Sequence, residues 1–146
     1  MKLISHRGNL NGRIPEKENH PDYILKALAL GYDVEVDVWS KNRQWYLGHD
    51  ENSYKIKRIF LTTPGLWIHA KNSEALERLS LYPNEINYFW HQNDDYAFTS
   101  KGYFWVYPGR YLFYHKSICV CPEIACGGDW IKCYGVCSDF IETYGK

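Results

Sequence analysis

Four short stretches of the chain carry side chains suited to chemistry: His6-Arg7, Glu35 with Asp37, His49-Asp50, and His69 with Lys71. In Asp33-Val34-Glu35-Val36-Asp37-Val38-Trp39 acids alternate with valines. Successive side chains of a β-strand point to opposite faces, so Glu35 and Asp37 project from one side. Two carboxylates that close drive one of the pair to protonate unless a positive charge stands between them. A divalent cation is the natural filler. Taken alone, the stretch is also the ordinary alternation of a strand with acids toward water and valines toward a core, so its company decides.

That company comes from the elements around it. Residues 2–5 read as a short strand running into His6-Arg7-Gly8, and a loop over residues 9–21 holds Glu18-Asn19. Apolar residues at helical spacing over 23–30, closed by Gly31, predict a first helix. The acidic strand follows, then a five-residue turn over 40–44, then a strand over 45–49 that ends in His49 with Asp50 after it. Residues 52–65 are mixed, with room for two helical turns over 54–61. Residues 66–71 form an apolar strand whose inward parity carries Trp67, His69 and Lys71. Ser73 caps a second helix over 73–82, stopped by Pro83. A strand over 86–91 leads to short strands over 96–99, 103–107, 111–114, 117–121 and 132–137, punctuated by the turns Pro108-Gly109 and Gly127-Gly128. This order predicts a parallel-rich α/β fold that has lost some of its helices. In an α/β barrel the strands' carboxyl ends surround one mouth, where His6, Arg7, Glu35, Asp37, His49, Asp50, His69 and Lys71 would meet. His91 and His115 have no such company and read as ordinary packed or surface residues.

Composition bounds the rest. At 146 residues the chain is expected to be one domain with a real core. Lys plus Arg equals Asp plus Glu, 17 each, which argues against a general nucleic-acid binder or a membrane-surface protein. Thirteen tyrosines and six tryptophans favour large rings in the core and a ring-lined pocket. Five cysteines, with no signal-like or membrane-spanning apolar run, predict a soluble protein of a reducing compartment, the cytoplasm. Cys119, Cys121, Cys126, Cys133 and Cys137 lack the paired spacing of a structural zinc site and read as packed, reduced thiols.

The string His6-Arg7-Gly8, Glu18-Asn19, Ala27-Leu28 with Gly31, Glu35-Val36-Asp37-Val38 and His49-Asp50 resembles the glycerophosphodiester phosphodiesterase family of the phospholipase C-like superfamily. Gly135-Val136-Cys137-Ser138-Asp139-Phe140 resembles that family's closing strand. The resemblance implies a complete but abbreviated TIM-type (β/α) barrel, compact and helix-poor. It implies Glu35 and Asp37 as metal ligands, His6 and His49 as the general acid/base pair, Arg7 and Lys71 as phosphate-holding cations, and Glu18, Asn19 and Asp50 in support. The implied activity is metal-dependent cleavage of a small soluble phosphodiester of the glycerophosphodiester type, with no nucleic-acid partner and no stable membrane association.

The chemistry is consistent with those roles. A phosphodiester's negative charge repels a nucleophile until cations neutralise it, and imidazoles near pKa ~6.5 can take and give the protons. Two departures stand out. The family's third acidic ligand, two positions before the fourth-strand lysine, is here His69. Mg²⁺ or Ca²⁺ is the ion the family favours, and histidine suits Mn²⁺, Zn²⁺ or Fe²⁺ better. Only five residues separate Trp39 from Trp45, too few for a parallel crossover, so either the second strand continues into a hairpin or the barrel is irregular there. Beside the hydrolase reading stand a barrel that binds a phosphorylated ligand without turnover, and a metal-free enzyme releasing a cyclic phosphate. The alcohol parts of the substrate stay open, a sugar or nucleoside included.

Overall fold

A computed structural model describes residues 1–112, 114–125 and 129–145. Its framework is one curled mixed sheet. Seven strands run parallel in the spatial order β6 (Tyr88–Trp90), β5 (Leu66–Ala70), β2 (Asp33–Lys41), β1 (Lys2–His6), β10 (Gly135–Ser138), β9 (Ser117–Val120) and β8 (Phe104–Val106). Three more are antiparallel: β3 (Gln44–Leu47) on β2, β4 (Tyr54–Ile56) on β3, and β7 (Tyr96–Phe98) on β8.

The expected TIM-type (β/α) barrel is therefore overturned. The sheet forms a half-barrel, and among the described residues only α1 (Pro21–Ala29), α2 (Ser73–Leu79) and α3 (Pro122–Ala125) are α-helical, with no helix after each strand. The physical reason is connection length: a parallel crossover needs a dozen or more residues, and several links here are shorter. The chain uses hairpins instead. β2 overruns the end of β1 and turns back at residues 41–44 into β3. Val38 pairs with Ala70 of β5 and with Leu47 of β3 at once, so β3 continues on the edge that β1 vacates. Of the two possibilities left open for this region, the hairpin is the one adopted. It returns the chain to the height of Asp37, where β3 ends.

Local signals account for the helices. Pro21 stands at the first position of α1, His20 accepts the Asp22 amide, and Gly31 follows the helix with φ 91°. In α2 the N-cap is Asn72, not Ser73; its carboxamide oxygen accepts the Ala75 amide. Residues 54–61 make β4 and the start of a 3-10 turn, Arg58–Thr62, instead of two α-helical turns. The expected strand over 132–137 begins only at Gly135, and the described residues of 111–114 form no strand. Phe113, Cys126, and the expected turn Gly127-Gly128 lie outside the described residues.

Besides a small cluster that joins Cys119, Cys133 and Trp130, two large apolar clusters flank the sheet. One packs Val34, Val36 and Val38 against Ile24 and Ala27 of α1 and Ala75 and Leu79 of α2. The other, holding Ile4, Trp67, Phe89, Trp105, Ile118 and Cys137, lies on the concave side below the carboxyl ends of the strands. Burial on both faces explains why the middles of the parallel strands are largely apolar. Among the described residues, no helix is long and apolar enough to cross a membrane.

Candidate functional site

β1 delivers His6, and the chain then turns through Arg7 at φ 56° and Gly8 at φ 94°. A side chain at Gly8 would meet the Tyr23 ring at 2.6 Å, so the position requires glycine on two counts. Arg7 holds its left-handed conformation because its amide donates to the Glu35 carbonyl (2.9 Å) and its carbonyl accepts the Asn19 amide (3.0 Å). Asn19, at φ 62°, reaches Asp37 twice: its Nδ2 donates to Oδ2 and its Oδ1 accepts the Asp37 amide, both at 2.9 Å. Strained non-glycine residues persist where surrounding bonds over-determine them; Arg7 and Asn19 show that pattern around the acidic strand. Gly48 plays the same part for His49. Its φ is 149°, a Cβ there would lie 2.0 Å from the Glu51 carbonyl, and its amide donates to the Asp37 carbonyl.

Glu35 and Asp37 do project together, and both are buried. Asp37 Oδ2 receives Arg7 Nε at 2.9 Å and Asn19, with His49 Nδ1 at 3.4 Å. Its Oδ1 has only His69 Nδ1 at 3.2 Å and Lys71 Nζ at 3.5 Å, neither in hydrogen-bond geometry. Burial works against the Asp37 charge, but the close approach of His49 and His69 and the Arg7 charge prevail and hold it well below the usual carboxylate range. For Glu35 the Arg7 and Lys71 charges are outweighed. Burial first, and the Asp37 charge second, push it well above the usual range. Its Oε2 is buried without a hydrogen-bond partner.

His69 completes the group. Its Nε2 lies 2.8 Å from the His91 carbonyl, which can only accept, so Nε2 carries the proton. The neutral ring then turns a lone pair at Nδ1 toward Asp37 Oδ1 and Glu35 Oε1, 3.8 Å away. Phe89, stacked at 5.1 Å, fixes the ring plane. Glu35, Asp37 and His69 thus offer three acceptor atoms mutually within 4.8 Å. Three converging acceptors, two of them on carboxylates with orphaned buried oxygens, fit a divalent cation, and the donor set of two oxygens and one imidazole nitrogen suits Mn²⁺ or Zn²⁺ as well as harder ions.

The two histidines differ in setting. His6 Nδ1 lies 2.8 Å from Asp139 Oδ1, and Asn9 Nδ2 donates to the same oxygen at 2.8 Å. Burial opposes the Asp139 charge, yet the His6 hydrogen bond keeps that carboxyl below its ordinary value. An ionised Asp139 must accept, so neutral His6 carries its proton on Nδ1 and keeps a lone pair on Nε2. Asp139 stood in the sequence as part of the closing strand, with no role assigned; a pairing between positions 6 and 139 leaves no local signature. Asp139→Asn is expected to lower kcat ~10-fold or more with KM nearly unchanged, and to move the acidic limb of the pH–rate profile to lower pH, because the imidazolium loses its anion. An unshifted limb would show that Asp139 only shapes the loop. Cys121, with φ 44°, stands beside His6 and Asp139, and burial pushes its thiol up.

His49 is more open. Its Nε2 lies 3.5 Å from both Arg7 NH2 and Asp50 Oδ1, and Asp50 is almost wholly exposed. Glu18 sits behind Arg7: it accepts from Arg7 NH1 at 3.3 Å, Arg13 Nε at 2.9 Å and Asn9 Nδ2 at 3.0 Å. Burial opposes the Glu18 charge, but these bonds hold its pKa down. Arg7 is thereby committed to two carboxylates, Glu18 and Asp37, and Lys71 is the more available cation toward a ligand.

His6, Arg7, Glu35, His49, His69 and Lys71 line a single cavity of ≈ 460 Å³, with Asp37 buried beneath. The structure thus brings together every predicted metal, acid/base and phosphate residue, while Glu18 and Asn19 form the layer below and Asp50 the outer rim. The cavity's far wall holds Trp90, His91, Gln92, Tyr107 and Pro108. His91 is therefore no bystander. Its rank on the strand after His69 was the available signal. His115 is exposed. The four described cysteines, Cys119, Cys121, Cys133 and Cys137, form no disulfide with one another. Cys119 and Cys121 fall in different apolar clusters, because the chain turns at Cys121. Compared with protein-family models, curated proteins and solved structures, the chain matches none.

Proposed function

We propose that this protein is a metal-dependent phosphodiesterase that cleaves a small phosphodiester at the cavity floor. One observation carries the reading: Glu35, Asp37 and His69 converge acceptor atoms on one point, with buried carboxylate oxygens left without donors, directly between two histidines of complementary setting. The resemblance of the His6-Arg7-Gly8, Glu35/Asp37 and His49-Asp50 motifs to glycerophosphodiester phosphodiesterases points the same way. The bound cation would neutralise phosphoryl oxygens as a Lewis acid.

The chain's own residues do the rest. Lys71 Nζ and the outer edge of Arg7 bind the diester's negative charge. His6 accepts the proton of the attacking hydroxyl at Nε2, and Asp139 stabilises the resulting imidazolium through Nδ1. His49, protonated and facing the opening, gives a proton to the departing alkoxide. Asp37 orients it from Nδ1. Asn19 and Glu18 keep Asp37 and Arg7 from turning away.

Hydrolysis of bis(p-nitrophenyl) phosphate tests the proposal, with Mn²⁺, Mg²⁺, Ca²⁺ or Zn²⁺ supplied in turn to chelator-treated protein. Turnover that the chelator abolishes and an ion restores is the expected result. Folded protein inert with every ion would leave a phosphate-binding protein in place of an enzyme. The setting we propose is the cytoplasm, supported by four described cysteines with no disulfide among them, as a reducing compartment keeps them.

A further inference from the structure

One wall of the cavity, next to Lys71, is aromatic. It is built by two strand ends. β6 supplies Trp90 and then His91 and Gln92; β8 is followed by Tyr107 and Pro108. The His91 and Tyr107 rings stack at 5.6 Å with 17° between their planes. The arrangement is held from behind: His91 Nε2 donates to the Asp94 carbonyl at 2.8 Å, its own carbonyl accepts from His69, and the Tyr107 amide donates to the Asp95 carbonyl at 3.0 Å. Tyr107 is 47% exposed, so its outer face is open at the mouth. A pre-arranged ring surface beside a fixed charge site has a cost in solvation that a ligand ring would offset.

Charge narrows the ligand. Among the described residues that line the cavity, Glu35 on the floor is the only carboxylate, and Arg7 and Lys71 stand beside it. A quaternary ammonium at these rings would find Lys71 beside it and Arg7 in the same cavity, which works against cation–π capture. A bare glycerol group has no surface to place on them. A flat, uncharged ring system does, and the Gln92 carboxamide at the wall's edge can both donate to and accept from its heteroatoms.

We infer that the substrate is a phosphodiester one of whose alcohols carries a nucleobase-like ring, a nucleoside phosphodiester, stacked on the Trp90 and His91–Tyr107 wall while its phosphate meets Lys71. The inference rests on the phosphodiesterase reading for the phosphate and goes beyond it in naming the alcohol. It departs from the glycerol-type substrate that the motif resemblance implies.

Binding tests it without turnover. By calorimetry in Mg²⁺, adenosine 5′-monophosphate is expected to bind at least ~10-fold more tightly than glycerol 3-phosphate, since stacking of one base contributes about that factor or more. In Tyr107→Ala, an exposed position whose change leaves the sheet intact, the ratio of the two affinities should fall toward one. In parallel, a thymidine 5′-phosphodiester and glycerophosphocholine are offered as substrates, with products followed by phosphorus NMR. Preference for the nucleoside ester, weakened in Tyr107→Ala, supports the inference. Equal affinities for the two monophosphates, an unchanged ratio in Tyr107→Ala, or preferred cleavage of glycerophosphocholine overturns it. Tight, Tyr107-dependent nucleotide binding with neither diester cleaved would uphold the ring wall and refute the phosphodiesterase reading, so the two failures are separable.

Discussion

His6→Ala is expected to lower kcat by ~100-fold or more on any diester, and His49→Ala by as much on an alkyl diester, with both proteins still folded. His6 lies at a strand end and His49 after one, each at the cavity surface, so neither removal opens an apolar core. The two losses differ in kind. An aryl ester such as a p-nitrophenyl diester leaves without needing a proton, so His49→Ala should retain most of its activity there. His6→Ala should not, because deprotonation of the nucleophile is needed for either ester. The acidic limb of the pH–rate profile should vanish with His6 and the basic limb with His49. Substantial activity on an alkyl diester in both variants would remove these residues from the chemistry. A reversed dependence on the leaving group would exchange their roles.

What the sequence made legible was local chemistry; what it hid was how the chain closes. The alternation around Glu35 and Asp37 placed both acids on one face because a strand's period is fixed by its backbone. The histidines at strand ends met because parallel strands all point their carboxyl ends the same way, and β1, β2 and β5 are parallel neighbours. That argument needs parallel pairing and not a closed barrel, which is why the site survives although the barrel expectation fails. Short links in the sequence mark missing helices but not what replaces them: hairpins such as β2–β3 and β7–β8 stand in for crossovers and leave a half-barrel. Asp139 and the stacked His91–Tyr107 pair depend on contacts between distant segments, and no pattern in a single sequence reports those.

Glu35→Gln is the change expected to have the largest effect on metal binding, and pH gives it a distinctive signature. Without metal, burial and then Asp37 raise Glu35 above its ordinary value near 4.5. The folded protein then holds a proton that the unfolded chain has released. Folding binds more protons than unfolding, so this group's contribution is full below the unfolded pKa and is lost as pH rises from about 4.5 through the raised folded value, at up to ~1.4 kcal/mol per pH unit. Asp37 acts in the opposite sense and in another window. Its lowered value stabilises above the ordinary 3.8 and fails only as pH falls through that depressed value. Glutamine at 35 removes the first slope, so metal-free Glu35→Gln should be the more stable protein at pH 7 to 8. Metal reverses the ranking. The cation must displace the Glu35 proton, so wild-type affinity should rise up to tenfold per pH unit below the raised pKa. At a hundredfold excess over Kd the ion adds about 2.7 kcal/mol to the wild type and little to Glu35→Gln. Thermal melts with and without Mn²⁺ across pH 5 to 8 read both effects. A variant that titrates Mn²⁺ like the wild type, with the same pH slope, would exclude Glu35 as a ligand and leave its buried, donorless oxygen without a role.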